Sequence, residues 1–131
     1  MRSIRMLTLV VSLFASTALY AQTSVEFSGH WVGSVQAPNG TIVPVEFDFG
    51  KDSQGRLKGT FGQPENQVKG LPISSFAVEG RAIQFLVKAD VEPGNWRGEI
   101  DEEGTTINGE LNQLGFAMPF RLKWKWIFLS V

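Results

Sequence analysis

The chain has 131 residues, 12 basic and 13 acidic side chains, a net charge of −1 and no cysteine. The absence of cysteine excludes disulfides, thiolate nucleophiles and thiolate metal sites. The balanced charge argues against a nucleic-acid-binding domain, which usually presents a clearly basic face.

Residues 1–21 have the three-part layout of a secretory signal peptide. Arg2 and Arg5 precede an apolar run over residues 6–14, and small residues follow up to Ala21. This layout predicts export to the bacterial periplasm or the medium, with cleavage near Ala21 and an uncleaved anchor as the alternative. A membrane-spanning helix needs about 20 apolar residues, so we expect no stable membrane span in the mature form. Residues 22–131 are then expected to form a single domain of net charge −3.

Apolar residues recur at every second position after residue 22, which is typical of half-buried β-strands. The inward sets are Val25, Phe27, Trp31 and Val35 in segment 25–35, Val43, Val45, Phe47 and Phe49 in segment 41–49, and Ile83, Phe85 and Val87 in segment 81–89. Glycine- and proline-containing turns separate these segments at short intervals. The spacing predicts about eight strands joined mostly by tight hairpins, with one longer connection near residues 62–73.

A pattern of large apolar residue, any residue, glycine, any residue, apolar residue begins at Trp31, Leu57, Trp96 and Ile107. Glycine inside a strand indicates strong coiling or the close approach of a bulky ring. Coiled sheets tend to close, and closure removes the edges that an eight-stranded sheet would expose. We therefore predict an all-β fold, a short up-and-down antiparallel barrel, with an open β-sandwich as the alternative. Thirteen aromatic residues follow residue 21, and we expect them to fill the interior.

The last segment alternates most clearly. The inward set is Phe116, Met118, Phe120, Leu122, Trp124 and Trp126, and the outward set is Arg121, Lys123 and Lys125. Beyond residue 125 both faces are apolar, and an apolar patch bordered by charge is typical of an interface. The candidate partner surface is Arg121, Lys123, Trp124, Lys125, Trp126 and Phe128. The alternative is that these rings plug one end of the barrel.

No arrangement of residues predicts catalysis, a cofactor site or a metal site. His30 is the only histidine, and the alternation places it on the outer face without a partner. Glu99, Asp101 and Glu110 share the solvent-facing phase, and Glu102 and Glu103 lie in a hairpin tip, where carboxylates stay ionised. The sequence therefore predicts a protein that is not an enzyme.

Two resemblances bear on function. Gly29-x-Trp31 in the first long strand, together with Arg121 in the last, is similar to the pattern of lipocalins, in which such a Trp and Arg close one end of the barrel. This resemblance implies an interior that carries a small apolar ligand.

A longer resemblance runs from Trp31 to Leu122. It is carried by Trp31-x-Gly33, Gly55-x-Leu57-x-Gly59, Gly62-x-Pro64-x-x-Gln67-x-x-Gly70-Leu71-Pro72-Ile73, Trp96-x-Gly98 and Gly109-x-Leu111-x-Gln113-x-Gly115-x-x-Met118-Pro119-Phe120. These motifs resemble the small β domain that precedes the catalytic domain in some secreted bacterial α/β-hydrolases of the esterase and peptidase type. The resemblance implies a non-catalytic accessory module whose partner is a hydrolase domain or another exported protein, and the lipocalin-like carrier is the alternative.

Overall fold

The computed structural model describes residues 25–125. They form eight strands: β1 (Gly29–Gln36), β2 (Ile42–Lys51), β3 (Leu57–Gln63), β4 (Val68–Glu79), β5 (Ala82–Val87), β6 (Gly94–Ile100), β7 (Thr106–Gln113) and β8 (Phe116–Lys125). Each strand pairs antiparallel with the next, and β8 pairs with β1. The predicted closed, up-and-down barrel is confirmed, and residues 25–125 do not form the alternative open β-sandwich.

The prediction of a longer connection near residues 62–73 is wrong. A single 3-10 turn over Pro64–Asn66 ends at Gln67, whose φ of 60° reverses the chain, and β4 begins at Val68. Proline and glycine in this segment are typical of loops and predicted one here, but Pro72 pairs with Thr60 in the sheet. The strand departs from regular pairing by a register shift on each side.

The alternating apolar residues form one core inside the barrel. Trp31 and Phe47 are fully buried, and Phe85, Trp96 and Leu122 are buried nearly as completely. The prediction for Phe116 is wrong, because its side chain is 54% exposed. Phe116 pairs with Gln113 beside the β7–β8 turn, so no part of the wall extends beyond it to cover the ring.

The repeated glycines allow neighbouring strands to approach closely. A Cβ on Gly33 would lie 1.8 Å from the carbonyl oxygen of Arg121, and one on Gly109 would lie 2.0 Å from the carbonyl oxygen of Arg97. The predicted close approach is present, but at these two positions the neighbour is main chain and not a bulky ring. Strong coiling of the strands produces such contacts, and only glycine fits there.

The two ends of the barrel differ. At one end, which we call the closed end, Phe27 is 2% exposed and lies beneath the core as part of the segment that leads into β1. Both ends of the described chain, Val25 and Lys125, lie at this closed end, because Lys125 is the partner of His30. The opposite end, the open end, is formed by the β1–β2, β3–β4, β5–β6 and β7–β8 connections. No helix within residues 25–125 is long and apolar enough to cross a membrane.

Candidate functional site: the open-end cavity

A cavity of about 840 Å³ occupies the open end of the barrel. Its walls are apolar side chains from seven strands: Val35, Val43, Val45, Phe61, Val68, Leu71, Val87, Leu111 and Met118, with Trp96 at its inner limit. The expectation that aromatic rings fill the whole interior is therefore wrong at this end. Bulky rings are concentrated in the middle and at the closed end, whereas valines dominate the open end.

Trp96 forms a rigid floor to the cavity. Its ring centroid lies 5.0 Å from those of Phe47 and Phe120 and 5.7 Å from that of Phe61, and the ring is stacked on Phe85 at 6.1 Å. Rings at these separations pack favourably in tilted or offset arrangements. A side chain held by four others keeps one orientation, so the floor of the cavity has a defined shape.

The indole N–H of Trp96 faces the open end. Nε1 lies 3.3 Å from the position that a Cβ on Gly94 would take, and Gly94 itself lines the cavity. Among residues 25–125 this N–H has no hydrogen-bond acceptor, and Nε1 is not sealed from the cavity space. The floor therefore presents one free donor within apolar walls.

The rim of the cavity carries exposed apolar side chains. Val91 is 81% exposed, and Leu114 and Phe116 are each more than half exposed. These three residues lie in or beside the connections at the open end. Of the other exposed large apolar residues in the described chain, Ile42 begins β2 with its side chain in the outward phase, and Val78 lies on β4. Part of the approach to the cavity is therefore apolar, like the cavity walls.

Glu92 joins two parts of this rim. Its carbonyl oxygen accepts a hydrogen bond of 2.8 Å from the Gln113 side chain, and its carboxylate accepts one from the main-chain N–H of Leu114. These contacts hold the β5–β6 loop against the β7–β8 turn. Lys88 and Asp90, in the same loop, provide charged groups of opposite sign at the mouth.

A second cavity, of about 560 Å³, lies at the closed end and has a more polar lining that includes Glu26, Arg81 and Asp101. It adjoins Val25, the first described residue, and Trp124, which precedes the last one. This position makes it a weaker candidate than the open-end cavity, whose lining lies wholly within residues 35–118.

The predicted partner surface is divided between the two faces of β8. Arg121, Lys123 and Lys125 are exposed on the outer face, as their alternation predicts. Trp124 is partly buried and packs against the core beside Gly29, where a Cβ would lie 2.1 Å from its Nε1. Trp126 and Phe128 lie outside the described residues.

Sequence reasoning placed His30 on the outer face and missed its partner. His30 Nδ1 lies 2.7 Å from Oδ1 of Asp48, the residue opposite it on β2. The shared outward phase of the two residues was visible in the sequence, but the register that aligns them was not. Trp31 and Arg121, which carry the lipocalin resemblance, lie on opposite faces of the wall, and Arg121 pairs with Ser34.

The acidic residues near the β6–β7 turn have structural partners. The Asp101 carboxylate accepts hydrogen bonds from the main-chain N–H groups of Thr105 at 2.9 Å and Thr106 at 3.2 Å. The Thr105 bond is the main cause that lowers the pKa of Asp101, because it favours the ionised form. Glu99 and Glu110 are exposed on the outer face. In the part of the chain that the structure describes, no three His, Asp or Glu residues are grouped as metal ligands.

Comparison with known proteins finds no matching family model, no similar curated protein and no similar solved structure. The geometry of the cavity and of the surfaces therefore provides the basis for a functional proposal.

Proposed function

We propose that the protein binds a small apolar ligand in the open-end cavity. The observation that carries this proposal is the cavity itself, about 840 Å³ within apolar walls and above a fixed aromatic floor. Pockets for small molecules usually measure about 300–1,000 Å³ and combine apolar walls with a few polar groups. Of the functions that the sequence leaves open, this arrangement favours the carrier.

The distribution of apolar residues supports the same proposal. A folded chain gains stability by burying apolar surface, yet the side chains of Val43, Leu71 and Met118 are only partly buried. The exposed rim residues Val91 and Phe116 extend this apolar surface beyond the mouth. A ligand seated in the cavity would remove these wall side chains from water.

A matched pair of variants on β2 tests the proposal. Val43 lines the cavity, whereas its neighbour Ile42 is 56% exposed and has the opposite strand phase. Binding of the neutral fluorescent probe N-phenyl-1-naphthylamine is measured with the full chain and with Val43→Trp and Ile42→Trp. We expect saturable binding at one site. Val43→Trp should weaken it by about tenfold or more, which needs a loss of only about 1.4 kcal/mol.

Ile42→Trp adds the same ring outside the cavity and should leave the affinity unchanged. Thermal unfolding of both variants shows whether the barrel is retained. Equal loss of binding in the two variants, or no saturable binding to the unchanged chain, would contradict a site in the cavity.

A second candidate function is a non-catalytic accessory module that contacts an exported hydrolase. One specific observation favours it: Arg121, Lys123 and Lys125 form a row of exposed cations on the outer face of β8. Among the described residues none of the three forms an ion pair. A row of like charges favours a partner surface that is acidic. In either role the protein would act outside the cytoplasm, as the N-terminal segment indicates.

The accessory role has its own test. If a hydrolase reading frame lies immediately downstream of this gene, its purified catalytic domain should bind the full chain. Charge reversal at Arg121, Lys123 and Lys125 should weaken that binding and make it less sensitive to salt. Unchanged affinity and salt dependence in the reversed variant would rule out this surface.

A further inference from the structure

The floor of the open-end cavity contains a donor that the folded chain leaves unused. Trp96 is only 3% exposed, and its N–H meets no acceptor among residues 25–125. Buried indole N–H groups usually have a hydrogen-bond partner. The walls that share the cavity with Trp96 include Val45, Phe61 and Leu111, whose apolar side chains offer no oxygen or nitrogen acceptor.

The other polar groups of the lining lie toward the mouth. Gln63 and Gln113 are the last residues of β3 and β7, and Lys88 and Asp90 lie in the loop after β5. The Gln113 amide donates a hydrogen bond to the Glu92 carbonyl oxygen, which holds this side chain at the rim. The Trp96 N–H is thus the polar side-chain group that a ligand would meet at the floor.

We propose that the ligand is a neutral molecule with an apolar body and a carbonyl-type oxygen, and that this oxygen accepts a hydrogen bond from Trp96 Nε1. This inference rests on the proposed function. A ligand body that fills the cavity would bury this N–H, and a buried donor without a partner is unfavourable, so an acceptor on the ligand at this point would stabilise the complex.

The electrostatic surroundings favour a ligand whose polar group at the floor is uncharged. An ionised carboxylate at the floor would lose its hydration and gain one hydrogen bond from a neutral N–H. That hydrogen bond does not compensate for the free energy of the lost hydration. The cation that lines the cavity, Lys88, lies at the mouth beside Asp90. A ketone, ester or amide oxygen loses less hydration than a carboxylate and needs only one donor.

Gly94 leaves the path to this donor open. A Cβ at residue 94 would lie 2.8 Å from Leu111 Cδ1 and 3.3 Å from Trp96 Nε1. Leucine can rotate away from such a contact, whereas the indole is fixed by its four ring neighbours. Gly94→Ala is therefore expected to keep the barrel and to obstruct the approach of an acceptor to the N–H.

Two probes with the same body test this inference: 4-phenylcyclohexanone, which carries a carbonyl oxygen, and phenylcyclohexane, which does not. Affinities of the full chain for both probes are measured by nuclear magnetic resonance titration, which also records the indole N–H signals. We expect the ketone, but not the hydrocarbon, to shift the Trp96 indole proton downfield. Trp96→Phe identifies that signal by its disappearance.

The affinity ratio of ketone to hydrocarbon is the decisive quantity. Loss of one neutral hydrogen bond should reduce this ratio roughly 3- to 10-fold in Trp96→Phe and in Gly94→Ala. Gly50→Ala is the matched control, because a Cβ there has no neighbour within 4 Å, and it should leave the ratio unchanged. If Trp96→Phe does not fold, Gly94→Ala and the indole shift in the unchanged chain still decide the question.

The outcomes separate the two proposals. If both probes bind but the ratio is the same in all variants and the indole proton does not move, the cavity is a ligand site and the role of Trp96 is wrong. Tighter binding of 4-phenylcyclohexanecarboxylate than of the ketone would also contradict the inference that the polar group of the ligand is uncharged. If neither probe binds, the proposed function fails and this inference fails with it.

Discussion

The indole N–H of Trp31 donates a hydrogen bond of 2.9 Å to the main-chain carbonyl oxygen of Phe27. Trp31 lies at the start of β1, and Phe27 belongs to the segment that crosses beneath the barrel. The bond ties this segment to the core and satisfies two polar groups that water cannot reach. It therefore contributes both to the closure of this end and to the stability of the fold.

Trp31→Ala should lower the free energy of unfolding by about 3–5 kcal/mol, because it leaves a large hole at a fully buried position. Trp31→Phe retains most of the ring and should cost about 1–3 kcal/mol, since the Phe27 carbonyl loses its donor. Chemical denaturation measures both values. Phe116→Ala is the control, because that ring is 54% exposed, and its effect should stay within about 0.5 kcal/mol. A loss below about 1 kcal/mol for Trp31→Ala would contradict this arrangement of the core.

Gly33→Ala should prevent regular pairing of β1 with β8. The new Cβ would lie 1.8 Å from the carbonyl oxygen of Arg121, and main chain cannot move aside as a flexible side chain does. We expect a loss of about 3 kcal/mol or more, at the upper end of overpacking effects. Gly50→Ala, at a position with free space, should change stability by less than about 1 kcal/mol. Similar unfolding curves for the two variants would show that the strands are not in such close contact.

Asp101→Asn should remove part of the acid sensitivity of the fold. Hydrogen bonds from Thr105 and Thr106 lower the pKa of Asp101 below its ordinary value of 3.8. A lowered pKa in the folded state stabilises the protein above the unfolded pKa, and this contribution is lost as the pH falls through the folded value. Urea denaturation at pH 7 and pH 3 should therefore show a smaller difference in stability for Asp101→Asn than for the unchanged chain. An identical difference would mean that the carboxylate does not stabilise the β6–β7 turn.

The contact between His30 and Asp48 should contribute little to stability. The Asp48 side chain is 56% exposed, and exposed ion pairs are usually worth about 0–1 kcal/mol. A double-mutant cycle with His30→Ala and Asp48→Ala should give a coupling energy in that range at pH 7. His30→Ala should also leave any activity of the protein unchanged. Loss of a hydrolytic activity in this variant would show that the protein is an enzyme.

Alternation was enough to predict most of the barrel wall. Val45, Phe47 and Phe49 are buried as expected, because a strand in a closed barrel has one face toward the core along most of its length. The same rule fails for Phe116, whose inward phase has no covering neighbour at the rim. Periodicity predicts the face of a residue but not its height along the barrel axis.

The open-end cavity could not be predicted for the same reason. Val35 and Val87 are buried and Val43 and Val68 are partly covered, yet all four have the spacing of core residues. Whether valine packs against a ring or faces a cavity depends on the register between strands, and a shift of register changes every neighbour. The contact between His30 and Asp48 could not be predicted either, because it also depends on the register between β1 and β2.

The pairing of β1 with β8 makes the order of strands circular. His30 and Lys125 are direct partners, so the ends of the described barrel meet on one side of the wall. A circular permutant that joins these ends through a short linker and opens the exposed β4–β5 turn at Gly80 would retain all eight strand pairings. The new termini would also lie at the closed end, because β4 ends and β5 begins there. Every hairpin that borders the mouth would remain continuous, so a fluorescent label or a surface tether could be attached without obstructing it.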